Sequence, residues 1–193
     1  MKQQISFSQY RSIDLTILAV VLAFSQFMIF MATSFWFPEQ MYVASPVAAM
    51  TALVMMRWNA YGAIHAALGG LIYALLAGGN GQQLLIYSAG NLLSVLALIV
   101  LKLFGKERVR KDGFLSLTFA FCVQLLMWLG RAGLAALFGY EPAACIGFIT
   151  TDVLSGLFTL VIIWIVRRIE GLFEDQKQYL LRLDRERKNE GRE

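Results

Sequence analysis

The stretch LTILAVVLAFSQFMIFMATSF, residues 15–35, is apolar almost throughout and contains no Asp, Glu, Lys or Arg. An α-helix rises about 1.5 Å per residue, so about 20 such residues cross the ~30 Å hydrocarbon core of a bilayer. The run is longer than the apolar region of a secretory signal peptide, which is roughly 7–15 residues. We therefore interpret it as an uncleaved transmembrane helix.

The composition places the rest of the chain in the same class. Hydrophobic residues make up 58% of the sequence and charged residues 16%, whereas a typical soluble domain carries about 25% charged residues. Five further apolar runs follow, at residues 41–56, 60–77, 84–104, 114–139 and 143–166. The sequence therefore predicts an all-α integral membrane protein with a six-transmembrane-helix bundle over residues 1–166.

Residues 167–193 form a charged tail. Its apolar side chains fall near one helical face and are Ile169, Leu172, Phe173, Leu180 and Leu183. This spacing predicts a C-terminal amphipathic cytoplasmic helix that lies on the lipid surface or against a soluble partner. A solvated extension without a partner is the alternative.

The distribution of basic residues predicts the orientation of the chain. With six spans, all of the 17 Lys and Arg except Arg131 lie on the side that holds both termini, from Lys2 at one end to Arg192 at the other. The three loops on the opposite side carry charge only at Glu39 and Glu141. Lys and Arg accumulate in cytoplasmic loops. We therefore expect a multi-pass protein of the cell membrane, a prokaryotic plasma membrane, with cytoplasmic N and C termini.

Three polar side chains lie inside predicted spans at a similar depth, in the outer half of the membrane. They are Asn91, Arg131 and Asp152. Arg or Asp costs roughly 2.5–3.5 kcal/mol at the middle of a membrane helix on insertion scales, so such residues face a partner or a cavity. One interpretation is a pocket that opens outward and binds a small organic molecule through these residues. The other is an Arg131–Asp152 ion pair that only joins two helices.

Polar and aromatic residues at the same end favour the pocket, and we include Gln83, Tyr87 and Trp128 among the candidate substrate-binding residues. Interfacial aromatic belts would place such rings there as well. His65 is the single histidine, and the sequence has no zinc-ligand spacing, no P-loop and no dinucleotide-binding glycine motif. We therefore expect no enzymatic activity, no cofactor, no metal site and no nucleic-acid partner. Any active transport would need energy from another protein.

Small residues mark two helix-packing surfaces. In the third run Gly62, Ala66, Gly70, Ala74 and Gly78 recur at every fourth position, and they could pack within the protein or against a partner. In the first run Ala19 and Ala23 lie one helical turn apart, which allows another helix to approach closely. We predict that this second pair is a partner-binding surface.

Six spans in fewer than 200 residues, cytoplasmic termini and the Ala19-x-x-x-Ala23 motif together resemble a substrate-binding S component of an energy-coupling factor (ECF) vitamin transporter. The resemblance covers residues from about 8 to 168. It implies that Ala19 and Ala23 meet a transmembrane T component attached to two ATPase subunits. It also implies that the later helices and outer loops bind a small vitamin-like molecule, and that the whole subunit topples in the membrane to release it.

Two other functions fit the same sequence. The first is a structural membrane protein of the envelope-assembly type, whose charged tail recruits cytoplasmic partners. The second is a small facilitator or channel that works alone.

Overall fold

The computed structural model of the chain describes residues 6–36 and 43–190, and these residues form helices and turns without any β-strand. The α-helices are α1 Phe7–Trp36, α2 Val47–Trp58, α3 Gly62–Leu76, α4 Gly81–Asn91, α5 Leu98–Phe104, α6 Lys106–Lys111, α7 Gly113–Leu137, α8 Pro142–Thr150, α9 Val153–Val166 and α10 Gln176–Glu190. Short 3₁₀ segments, Asn59–Tyr61 and Leu92–Ala97, join α2 to α3 and α4 to α5. The charged residues Lys2, Glu39 and Arg192, which entered the prediction of orientation, lie outside the described residues.

Five helical stretches of the described chain are long and apolar enough to cross a membrane: Phe7–Trp36, Val47–Leu76, Gly81–Phe104, Gly113–Leu137 and Pro142–Val166. Large apolar side chains are exposed along all of them, as is typical of surfaces that face lipid rather than water. The prediction of an all-α protein is therefore confirmed for the described residues, and these five stretches are candidates to span a membrane.

The stretch Val47–Leu76 doubles back on itself. Asn59 has φ 55°, in the left-handed region, and this residue ends α2. A Cβ atom built on Gly69 would lie 2.7 Å from Val47 Cγ2, and one on Gly62 would lie 2.4 Å from Met55 Cγ. Contacts between residues 22 positions apart cannot form along one straight helix, so α2 and α3 are antiparallel neighbours.

Glycines also permit close crossings between α3 and α4 and between α4 and α7. A Cβ atom on Gly70 would lie 2.1 Å from the carbonyl oxygen of Tyr87, and one on Gly130 would lie 2.0 Å from that of Gly90. Small residues at such crossings let helix backbones approach each other. Of the glycine and alanine stripe on the third run, Gly62 and Gly70 pack against neighbouring helices of the chain, and Ala66 and Ala74 are buried. Most of this stripe therefore packs within the protein.

The core lies around α7, which contacts α2, α4, α6, α8 and α9. Phe119, Val123 and Met127 of α7 are almost fully buried. The last long stretch is interrupted at Thr151 and Asp152, which separate α8 from α9. Both cysteines, Cys122 and Cys145, are free and half-buried.

The tail differs from the helix predicted from residue 167. Residues 167–175 form turns, and the helix begins only at Gln176, because Gly171 has φ 74°, which a continuing α-helix does not accommodate. We call residues 169–176 the tail hook. Phe173 of the hook is 1% exposed and belongs to the core cluster of the bundle. The first part of the tail is therefore packed on the bundle, and α10 extends from it.

Buried charged groups hold the tail hook in place. Arg57, at the end of α2, forms two hydrogen bonds with the Asp14 carboxylate of α1, at 2.9 and 2.6 Å. Its Nη1 donates to the carbonyl oxygens of Gly171 and Leu172, at 2.7 and 3.0 Å. Arg57 is therefore buried, although it is charged and stands at the end of an apolar helix. It joins α1, α2 and the hook.

A second ion pair connects the hook to α6. The Lys106 ammonium lies 2.7 Å from Asp175 Oδ2. Burial lowers the pKa of Lys106, and the hydrogen bond that it donates to Asp175 opposes this shift. The hook is thus held by charged side chains of α2 and α6, and Asp14 of α1 pairs with the arginine from α2.

The glycine crossings give the first testable prediction. Gly130→Ala should lower the free energy of unfolding by about 1–3 kcal/mol, because the new methyl group would overlap the Gly90 carbonyl. Gly133→Ala is the matched control on the same helix, since its new methyl group would enter open space, with no neighbouring helix within 4 Å. We expect the control to be neutral or to stabilise by about 0.5–1 kcal/mol. Thermal unfolding of the two variants in detergent measures the difference, and equal melting temperatures would contradict the close crossing.

Candidate ligand-binding site

Asp152 is the centre of a buried polar cluster. It lies at the break between α8 and α9 and is 3% exposed. Its Oδ2 accepts three hydrogen bonds from α7: from Gln124 Nε2 at 3.1 Å, from Trp128 Nε1 at 2.8 Å and from Arg131 Nη2 at 2.6 Å. Its Oδ1 has no hydrogen-bond partner among the described residues. One carboxylate oxygen is thus fully engaged and the other remains an available acceptor.

The three donors come from one face of α7. Gln124, Trp128 and Arg131 are spaced at i, i+4 and i+7, so they lie along one side of the helix. All three are buried. Gln124 also accepts a hydrogen bond from Thr159 Oγ1 of α9, at 3.3 Å. The cluster therefore joins α7 to both the break and α9.

Arg131 is committed to interactions within the protein. Besides its pairing with Asp152, its Nε donates to the Met127 carbonyl at 3.2 Å. Its guanidinium carbon lies 5.4 Å from the centre of the Tyr87 ring, within the range of a cation–π contact. Tyr87 in turn packs against Tyr73, with ring centres 4.9 Å apart. The positive charge is thus balanced by Asp152 and covered by an aromatic ring.

Asn91 contributes a second available acceptor. Its Nδ2 donates to the carbonyl oxygen of Ala66 on α3, at 3.1 Å. That carbonyl fixes the orientation of the amide, because a carbonyl oxygen accepts hydrogen bonds and would repel Asn91 Oδ1. Asn91 is 3% exposed, and its Oδ1 has no partner in the part of the chain that the structure describes.

Asn91, Arg131 and Asp152 surround a cavity of about 20 Å³. A cavity of this kind needs roughly 10–15 Å³ to hold one water molecule. The cavity therefore has room for a single small group, and a larger ligand requires its walls to separate. The other lining residues are Val43, Ser45, Val47, Ala48, Gly70, Tyr73, Tyr87, Gln124, Met127 and Ser155.

The segment before α2 forms one wall of this cavity. The Val43 N–H donates to the Thr151 carbonyl at 2.9 Å, and Ser155 Oγ donates to the Val43 carbonyl at 3.1 Å. Ser45 Oγ donates to Gln26 Oε1 of α1 at 2.7 Å. These hydrogen bonds hold residues 43–45 against α1 and the break that carries Asp152.

A separate apolar groove lies between α1 and α3. Ala19 and Ala23 line it, and both are half-buried. Its volume is about 400 Å³, which is many times that of the polar cavity. His65, which is 2% exposed, also lines the groove, and its Nε2 lies 3.1 Å from the Leu15 carbonyl oxygen of α1. The imidazole thus connects α3 to α1 beside the two alanines.

The structure brings together five of the six candidate substrate-binding residues: Asn91, Arg131, Asp152, Trp128 and Tyr87. Gln83 does not join them. It forms a capping box with Asn80 at the start of α4, where each side chain accepts a hydrogen bond from the backbone of the other. Asn80 three residues before Gln83 is the sequence signature of this cap.

Sequence reasoning missed Gln124, Tyr73 and Ser155 as members of the site. The spacing of Gln124 from Trp128 and Arg131 on α7 was a usable signal, since it places all three on one face. Tyr73 and Ser155 had no such signal, because they come from separate helices that meet only in the folded bundle.

The cluster gives a prediction about stability. Asp152→Ala should lower the free energy of unfolding by roughly 3–5 kcal/mol, because Arg131 would remain buried without its counter-ion. The double variant Arg131→Met/Asp152→Leu removes both charges and should lose less than Asp152→Ala alone. Glu107→Gln, in an ion pair on the protein surface, is the control and should change stability little. Thermal unfolding in detergent tests the order, and a double variant no more stable than Asp152→Ala would contradict it.

Among residues 6–36 and 43–190, His, Cys, Asp and Glu side chains form no group of three that could hold a metal ion. Comparisons of the chain with known protein families, with curated proteins and with solved structures find no match.

Proposed function

We propose that the chain is the substrate-specificity (S) subunit of an ECF-type importer, which binds a small vitamin-like molecule from the outer face of the membrane. A T component and two ATPase subunits would supply the energy for its delivery. The observation that carries this proposal is the apolar groove between α1 and α3, with Ala19 and Ala23 along it.

The groove has the properties of a docking surface for a membrane helix. In an apolar part of α1 that is 18 residues long, only 17% is buried within the protein. The corresponding share is 28–39% in the other four stretches. The buried residues Leu18, Leu22 and Gln26 are spaced every four residues on one stripe. Much of the apolar surface of α1 thus remains free for lipid or a partner, and two alanines one turn apart allow a second helix to approach.

The reversal at Asn59 supports six membrane crossings. The five apolar stretches become six passes when α2 and α3 are counted separately. At about 1.5 Å per residue, α2 is about 18 Å and α3 about 22 Å long, so each would cross the bilayer only together with flanking residues. An even number of crossings places both termini on one side. The basic residues would make that side the cytoplasm of a prokaryotic cell.

The polar cluster supports the binding role. It concentrates an ion pair, an amide and two tyrosine rings in contact with each other around one buried cavity. Polar groups at this depth in a membrane protein are costly and are characteristic of ligand pathways and sites. We propose Asn91, Arg131, Asp152, Trp128 and Tyr87 as the ligand-binding residues, without catalysis.

Co-expression with a T component and two ATPases tests the docking surface. Ala19→Leu/Ala23→Leu should abolish co-purification of the complex, because two larger side chains would fill the groove that the partner helix occupies. Ala32→Leu is the matched control, since Ala32 is exposed on the same helix away from the groove. Its complex should form as in the unsubstituted protein. A complex that survives the double substitution would contradict the proposal, provided that both variants elute as folded, monodisperse proteins.

Cysteine labelling in whole cells tests the orientation. In a Cys122→Ala/Cys145→Ala background, the exposed positions Gln82 and Lys177 are each replaced by cysteine. A membrane-impermeant maleimide should label Gln82→Cys in intact cells and label Lys177→Cys only after permeabilisation. Labelling of Lys177→Cys in intact cells would place the tail outside and contradict the topology.

The tail favours a second candidate function, a structural membrane protein that recruits cytoplasmic partners. The hook fixes the start of α10 firmly to the bundle, and α10 then presents exposed Lys177, Leu181 and Arg185. Such a protein needs no small-molecule ligand. Native mass spectrometry of the purified chain separates the two functions, since a retained small molecule favours the S subunit.

A further inference from the structure

We propose that the buried site recognises an N–H donor group, so that its ligand is an amine, an amide or an N–H heterocycle rather than a carboxylic acid. The inference rests on the binding role proposed above and deepens it. Its basis is a pair of acceptors, Asp152 Oδ1 and Asn91 Oδ1, that have no hydrogen-bond partner in residues 6–36 and 43–190 and belong to residues lining one small cavity.

The hydrogen bonds of Asp152 indicate that the cluster can accept a further hydrogen bond at Oδ1. An ionised carboxylate only accepts hydrogen bonds, and all three donors from α7 reach the same oxygen, Oδ2. Oδ1 is left as a strong, charged acceptor in a buried position. A group that completes the cluster must therefore donate a hydrogen bond.

Asn91 shows the same preference independently. One of its two amide N–H groups donates to the Ala66 carbonyl, and its Oδ1 accepts no hydrogen bond from the described residues. An amine, an amidine or a ring N–H with a neighbouring amino group carries more than one donor. Such a group has the hydrogen-bonding capacity to serve both acceptors.

A carboxylate ligand fits the same surroundings poorly. Among the described residues that line the cavity, Arg131 is the one cation, and Asp152 already neutralises it at 2.6 Å. A second carboxylate would place two negative charges against one positive charge in a buried site, where unbalanced charge is most costly. It would also bring its own acceptor oxygens toward Asp152 Oδ1 and Asn91 Oδ1, which accept hydrogen bonds and cannot donate them.

The size of the cavity adds a constraint. About 20 Å³ accommodates one small group. The donor group would therefore be the innermost part of the ligand, and its remaining atoms would displace the cavity walls. Tyr73 and Tyr87 are among these walls, and their rings offer apolar and π surfaces suited to a flat heterocycle.

Matched pairs of small probes test the preference with the full-length protein in detergent. Benzamidine is compared with benzoate and nicotinamide with nicotinate, each titrated to millimolar concentration while the melting temperature is followed. The N–H member of at least one pair should raise the melting temperature, and its carboxylate partner should not. A rise with a carboxylate that equals or exceeds that with its N–H partner would overturn the inference. Absence of any shift would also overturn it and assign the cavity to a bound water molecule.

Two substitutions on α4 locate the binding. Asn91→Leu removes one acceptor and should weaken binding of the stabilising probe about tenfold, the scale of one lost hydrogen bond. Ser88→Ala is the matched control, since its hydroxyl bonds to the Leu84 carbonyl at 2.6 Å and Ser88 does not line the cavity. Equal affinities of the two variants would overturn the assignment to this site. If Asn91→Leu does not fold, the comparison of paired probes on the unsubstituted protein still decides.

The outcome of the probe titrations can be distinguished from the outcome of the co-purification experiment with the T component. Probe binding that favours carboxylates, together with an intact complex with the T component, would overturn only the ligand class. Selective binding of N–H probes without any complex would overturn the S-subunit function and leave the chemistry of the site in place.

Discussion

The Asp152 carboxylate is the charge around which the middle of the bundle is arranged. A buried ion is tolerated only when its neighbours supply hydrogen bonds and an opposite charge. Here three side chains from one face of α7 converge on a single oxygen, and Arg131 supplies the positive charge. This requirement fixes the rotation of α7 about its axis and the position of the break between α8 and α9. The same arrangement leaves one oxygen of Asp152 without a partner among the described residues. This oxygen is one of the two acceptors that the proposed ligand would bind.

Close helix crossings bring the other members of the site to this carboxylate. Gly70 allows α4 to approach α3 near Tyr87, and Gly90 and Gly130 allow α4 to approach α7 beside Arg131. Because these backbones are so close, Tyr87 reaches the Arg131 guanidinium and Asn91 reaches the Ala66 carbonyl. Packing of small residues and placement of polar groups are therefore parts of one arrangement. Lipid offers no strong hydrophobic force between helices, so such contacts have a large share in holding them together.

A second set of buried charges holds α1, the end of α2 and the tail hook together. Arg57 joins Asp14 to the carbonyls of the tail hook, and Phe173 of the hook enters the core. The start of α1 and the base of α10 are thus held together, while the groove along Ala19 and Ala23 stays open. In the proposed transporter, this would leave α1 firmly anchored in the bundle and free on the face that meets a partner.

The apolar runs alone determined that the chain is helical, with stretches long enough to cross a membrane, because hydrocarbon requires long stretches without charge whose backbone hydrogen bonds are internal. The cost of charge in the membrane likewise identified Arg131 and Asp152 from the sequence, and their pairing was one of the two interpretations left open. Only the tertiary structure decided that Gln124 completes the cluster, that Gln83 caps a helix instead, and that Arg57 binds Asp14 and the tail hook. Those outcomes depend on which faces of separate helices meet. Hydrophobicity along one helix leaves that choice undetermined when nearly all of its faces are apolar.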